Sequence, residues 1–109
     1  MIDRNLKLLN DIKECISKVK DYTKGGRKEF DASSMVRDAV IRNIEIIGEA
    51  VKNLPQELKD KQPQIPWKQI ARIRDISIHH YFKIDWALIW GVVENDLDPL
   101  DKAIQELLK

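Results

Sequence analysis

SSMVRDAVIRNIEIIGEAVKNL, residues 33–54, is the stretch on which the fold turns. Val36, Val40, Ile44, Ile47, Val51 and Leu54 recur at steps of three and four, which aligns side chains along one helical face. Met35, Ala39, Ile41, Ile46, Gly48 and Ala50 carry the apolar surface beyond that stripe. A helix apolar on more than one side has two surfaces to bury, and in a chain this small the second is open to another subunit. Asp31, Ser33 and Ser34 are all side chains that accept from the free amides at a helix start, so the helix is expected to begin near one of them.

The same periodicity extends to either side. Upstream, Leu8, Leu9, Ile12, Cys15, Ile16, Val19 and Tyr22 form one stripe, with Lys7, Asp11, Lys13, Glu14 and Lys18 between them. The paired Gly25-Gly26 after Thr23-Lys24 ends that helix in a turn. Downstream, Pro55, Pro63 and Pro66 bracket a loop or short helical turn. From Trp67 the pattern resumes through Ile70, Ile73 and Ile76 and fades between His79 and Lys83. Asp85 reads as the cap of a helix through Trp86, Leu88, Ile89, Val92 and Val93. Asp98-Pro99 reads as a cap and a first-turn proline opening a last helix through Leu100, Ala103, Ile104, Leu107 and Leu108. No strand-like alternation or internal repeat interrupts this. The sequence predicts one all-α domain over residues 1–109, an antiparallel bundle of four to five helices.

Composition narrows the function classes. Hydrophobic residues make up 43% and charged residues 34%, the balance of a folded domain with a heavily charged surface. No apolar run reaches the ~18–20 residues that span a bilayer, and no signal peptide is evident, so a cytoplasmic protein without membrane contact is expected. With 19 Lys and Arg against 18 Asp and Glu, the chain is no blanket polycation, though a local basic site remains open. The lone Cys15 sits on an apolar stripe and reads as a reduced core residue.

Candidate chemistry gathers in Ile73-Arg74-Asp75-Ile76-Ser77-Ile78-His79-His80-Tyr81-Phe82. Consecutive helical residues point ~100° apart, so His79 and His80 are poorly set to share a metal ion, and no HExxH spacing exists. No metal and no cofactor are expected. Histidine exchanges protons near neutral pH, and the guanidinium fork of arginine matches phosphate oxygens. On an ideal helix Arg74 and His79 lie ~140° apart, a gap that the length of Arg74 and a loosened helix after Ile78 can close. Arg74 and Tyr81 fall on nearly one face. Taken as chemistry alone, such residues at a helix end more often cap carbonyls or face solvent.

The string Arg74-x4-His79-x-Tyr81 resembles the R-x4-H-x-Y signature of the HepT branch of the HEPN superfamily. Asp75 follows the arginine where that family carries a polar residue, often asparagine. The run Arg42-Asn43-Ile44-Glu45-Ile46-Ile47-Gly48-Glu49-Ala50 is similar to the family's second long helix. Pro66-Trp67 before the motif and Phe82-x-Ile84-Asp85 after it match as well, so the likeness runs over nearly the whole chain.

The resemblance implies a helical homodimer whose motif helices meet across a cleft. It also implies a toxin of a toxin–antitoxin pair that acts as a metal-independent endoribonuclease on an RNA substrate. Carried onto this chain, His79 would be the acid–base residue, Arg74 would stabilise phosphate charge in the transition state, and Asp75 would orient one of them. The implied partner is an MntA-type nucleotidyltransferase antitoxin that transfers AMP from ATP to Tyr81. That adds charge and bulk beside Arg74.

Two other readings stand beside this one: a non-catalytic helical binding module that acts by complex formation with its nucleotidyltransferase, and a purely structural helical dimer. Trp67, Trp86 and Trp90 are expected in packing rather than base stacking, and Gly48 at a close helix approach. Arg72 is either a further phosphate contact or a solvated side chain. Lys18, Lys20, Lys24, Arg27 and Lys28 are expected to be a solvated helix end, with RNA steering as the other reading.

Overall fold

The two longest helices each begin at a side chain that satisfies their first amides. In the computed structural model, which describes residues 3–79 and 83–109, α1 (Arg4–Tyr22) starts at Asp3. Asp3 Oδ1 accepts from the Asn5 and Leu6 amides at 2.8 and 3.4 Å. The helix buries Leu9, Ile12, Cys15, Ile16 and Val19, the stripe the sequence predicts. Burial also pushes the Cys15 thiol up from its ordinary pKa, as for an unreactive core residue.

Thr23 closes α1 with a hydroxyl that donates to the Val19 carbonyl at 2.8 Å. Gly26 takes φ +83°, a left-handed conformation that glycine adopts without a Cβ penalty. The chain then forms a short helix that the spacing did not predict, α2 (Gly26–Ala32), anchored by the fully buried Phe30.

The helix α3 (Ser34–Asn53) is capped by Ser33, whose hydroxyl accepts from the Val36 amide at 3.2 Å. It is the spine of the fold and packs most extensively on α1 and α5. Asn43, buried among its apolar neighbours, donates to the Ala39 carbonyl at 2.9 Å. The proline-bracketed segment contains α4 (Gln56–Asp60) before α5 (Trp67–His79). The Trp67 indole is a packing residue, as expected, and its N–H donates to the carbonyls of Lys59 and Gln62 at 3.1 and 3.0 Å. These bonds pin the start of α5 to the α4 loop.

Asp85 caps α6 (Trp86–Gly91) through the Leu88 amide at 3.2 Å. Phe30 packs edge-on to Trp86 and tilted against Trp90, at centroid distances of 6.1 and 5.2 Å. Arg37 lies 5.6 Å over the Trp86 ring and also donates to the Phe30 and Asp31 carbonyls, so α2, α3 and α6 meet at one aromatic corner.

One expected boundary is corrected. No helix starts at Asp98-Pro99: the chain runs from α6 through a π-helical turn, Val92–Asp96, directly into α7 (Leu97–Leu107). The Leu97 amide reaches back five residues to Val92. The widened turn lies directly ahead of Pro99, whose ring nitrogen has no hydrogen to donate to the carbonyl four residues earlier. Asp98 does not cap; its carboxylate pairs with Lys20 on α1 at 2.5 Å and titrates below its ordinary value for that reason. The outcome is all-helical among the described residues, as the sequence predicts.

Asp96 joins Ile44, Ile47, Ile70 and Ile73 around an apolar gap of about 10 Å³. Burial raises its carboxyl pKa. A native pKa above the unfolded one contributes stability at low pH that is lost as pH rises through the native value. Asp96→Asn is therefore expected to raise Tm at pH 7, with the gain shrinking as pH falls into the carboxylate range. Thermal melts across that range check it, and an unchanged Tm at pH 7 contradicts it.

Candidate active site

Gly48 brings α3 and α5 together where the candidate arginine stands. A Cβ on Gly48 would lie 3.2 Å from the Arg74 Cβ and 3.2 Å from the Ile70 carbonyl oxygen, so glycine permits the close approach. Arg74 is thereby set against α3, and its Nε lies 2.7 Å from Glu49 Oε2. Glu49 holds one edge of the guanidinium and fixes its plane. Asp75 Oδ1 is 3.8 Å from Arg74 Nη1, so the structure brings these two candidates into contact.

Arg74 lines an open groove of about 390 Å³ between α1, α3 and α5. Asp11, Arg42, Glu45, Glu49 and Asn53 supply its polar wall, and Leu8 and Ile46 its apolar part. Arg42 is 3.5 Å from Glu45. Three carboxylates therefore share the groove with two guanidinium groups, and both of these have carboxylate partners. Asp75 looks elsewhere, onto a second hollow beyond α5.

The backbone of α5 is helical through His79, while the imidazole of His79 and the expected loosening beyond it lie outside the described residues. His80, Tyr81 and Phe82 lie outside the described residues, and with them the candidate modification site. Among the described residues, no group of three or more His, Cys, Asp or Glu side chains could hold a metal ion. Likewise, no helix among them is long and apolar enough to cross a membrane.

Sequence reasoning missed Glu49 as the partner of Arg74. The available signal was the polar stripe Arg42, Glu45, Glu49, Asn53, at steps of three and four on α3. That stripe marks a face turned to a groove rather than to the core.

Comparison with known proteins adds to this geometry. The model of a family described as HepT-like, ribonuclease HepT-like, matches residues 12–107. A protein of Thermococcus cleftensis named probable ribonuclease HepT is 39% identical over 102 residues, covering 93% of both chains. A Methanocaldococcus jannaschii protein named a putative RNase is 45% identical over 93% of this chain and 84% of its own length. Another from that organism, named gamma-glutamylcyclotransferase and putative RNase, is 46% identical over 93% of this chain. The match spans 46% of that longer protein. No solved structure gives a significant match.

Proposed function

The chain belongs to the HepT-like family, and from that membership we propose that it is a metal-independent endoribonuclease and the toxin of a toxin–antitoxin pair. The supporting observation is the placement of Arg74: held by Glu49 at the rim of a groove, on the helix that carries His79 five residues on.

In the proposed reaction the ribose 2′-oxygen attacks the adjacent phosphorus while His79 removes its proton. The phosphorus–O5′ bond breaks, the 5′-oxygen takes a proton, and a 2′,3′-cyclic phosphate remains. Arg74 neutralises charge that builds on the non-bridging oxygens, where a preorganised guanidinium acts most strongly. Asp75, in contact with Arg74, helps set its orientation. One histidine cannot be base and acid in the same step, so the reading calls for a homodimer in which two motif helices share a cleft. The site acts in the cytoplasm, within one domain, and needs no cofactor.

Silencing is proposed to come from the nucleotidyltransferase antitoxin, which transfers AMP to the Tyr81 hydroxyl with release of pyrophosphate from ATP. The added phosphate places negative charge near Arg74 and competes with RNA. Incubation with such a partner and ATP is expected to add one AMP per chain by intact mass, and none to Tyr81→Phe. Equal labelling of that variant contradicts the assignment. The ribonuclease reading is tested with an RNA strand and its DNA counterpart: cleavage of RNA alone supports it, because only RNA carries the attacking 2′-hydroxyl, and cleavage of neither or both opposes it.

A further inference from the structure

The hollow on the far side of α5 differs in charge from the groove of Arg74. It measures about 430 Å³ and is walled by Lys52 at the end of α3, Lys59 on α4, and Lys68 and Arg72 on α5. Lys68 and Arg72 are four residues apart and so share one helical face. Asp75 is the one carboxylate in its lining. None of the four cations is paired with a carboxylate among the described residues, unlike the guanidinium groups of the other groove. In a chain of formal net charge +1 this is a local concentration of unneutralised positive charge.

Lys59 sharpens the contrast. It is half-buried, burial lowers its pKa, and its ammonium has no carboxylate partner among the described residues. An anion in the hollow supplies that counter-charge. A second, adjoining hollow of about 360 Å³ shares Lys59, Trp67 and Lys68, so the basic wall continues along the start of α5. Trp67 is 8% exposed with its N–H committed to backbone carbonyls, so it offers a base little ring surface to stack on.

We propose that Lys52, Lys59, Lys68 and Arg72 form a binding track for the phosphate backbone of single-stranded RNA, separate from the groove that holds Arg74. The inference rests on the ribonuclease reading for the identity of the strand. Point-charge lysines without stacking partners select phosphates rather than bases, so binding is independent of sequence. Asp75 lines the hollow and also touches Arg74, so a strand held in the track lies one contact away from the proposed reacting group.

The test uses the full chain and a fluorescent 20-nucleotide RNA carrying 2′-O-methyl groups throughout, which attack through the 2′-oxygen cannot cut. Anisotropy is followed against salt for wild type, for Lys59→Gln/Lys68→Gln/Arg72→Gln, and for a control of equal charge loss elsewhere, Arg4→Gln/Lys13→Gln/Lys102→Gln. Each single-strand phosphate contact contributes ~0.7 to the slope of log affinity on log salt, so the groove variant is expected to lose about 2 in slope and at least ~10-fold in affinity. The control is expected to change both much less. The double variant Lys68→Gln/Arg72→Gln, on exposed positions only, guards against a folding defect and should show a smaller loss of the same kind. No binding by wild type, or equal losses in groove and control variants, overturns the track. Since the probe is uncut, failure of wild type to cleave ordinary RNA would sink the ribonuclease reading without touching this result.

Discussion

Arg74→Ala is expected to slow RNA cleavage by ~10²–10³-fold, and His79→Ala by ~10²–10⁴-fold, with both proteins still folded. The first figure is that for removing one preorganised charge-stabilising group from a transition state, the second that for removing a general acid–base. Stability should barely move on losing Arg74. Its pair with Glu49 is partly solvent-exposed on both sides, at 31% and 48%, and such pairs contribute ~0–1 kcal/mol. Arg74→Lys should not restore the rate, because a single ammonium replaces a planar fork that Glu49 holds and that is proposed to meet phosphate. Single-turnover cleavage beside thermal melts separates the two quantities. A variant that cleaves within a few-fold of wild type, or fails only because it unfolds, contradicts the proposed role.

The largest stability effect is expected at Phe30→Ala, a loss of ~3–5 kcal/mol. Phe30 is fully buried and is the one buried residue of the seven-residue helix α2. A helix so short does not hold itself in water, so α2 depends on this side chain for its place on the fold. Truncation also removes the edge-on and tilted contacts with Trp86 and Trp90, each such pair being worth ~0.5–1.5 kcal/mol beyond burial. In a chain of this size the Tm should fall by on the order of 15 °C. Urea titration followed by tryptophan emission measures it directly. A loss below ~1 kcal/mol would mean that the aromatic corner can collapse around the gap.

Much of this fold was legible because its signals are local. The stripes of α1 and α3 repeat with the helical period, and Ser33 and Asp85 cap as the sequence predicts. What escaped was set by tertiary context. The segment 26–32 carries one core residue, Phe30, too few for a period, and its helix forms because Trp86 and Trp90 receive that ring. Asp98-Pro99 has the chemistry of a helix start, yet a π-helical turn before it lets the helix continue and frees Asp98 for Lys20.

The site divides in the same way. Arg74 and Asp75 are adjacent and meet, as adjacency allows. The Arg74–Glu49 pair joins two helices crossing at Gly48; the polar stripe on α3 marks the face that carries Glu49, but its partner on α5 is set by the crossing. The assignment of His79 and Tyr81 came from the resemblance of a motif. A straight helix sets Arg74 and His79 ~140° apart, which a period-based reading counts against a shared site. A second copy of the chain enters the proposed mechanism for a different reason, that one histidine cannot be base and acid in the same step.

The most direct test is RNA cleavage in EDTA by wild type beside His79→Ala, using protein whose intact mass shows Tyr81 unmodified. Cleavage by wild type alone, leaving 2′,3′-cyclic phosphate ends, is the expected result. Activity that the chelator abolishes, or equal cleavage by the His79→Ala variant, would contradict a metal-independent ribonuclease built on Arg74 and His79.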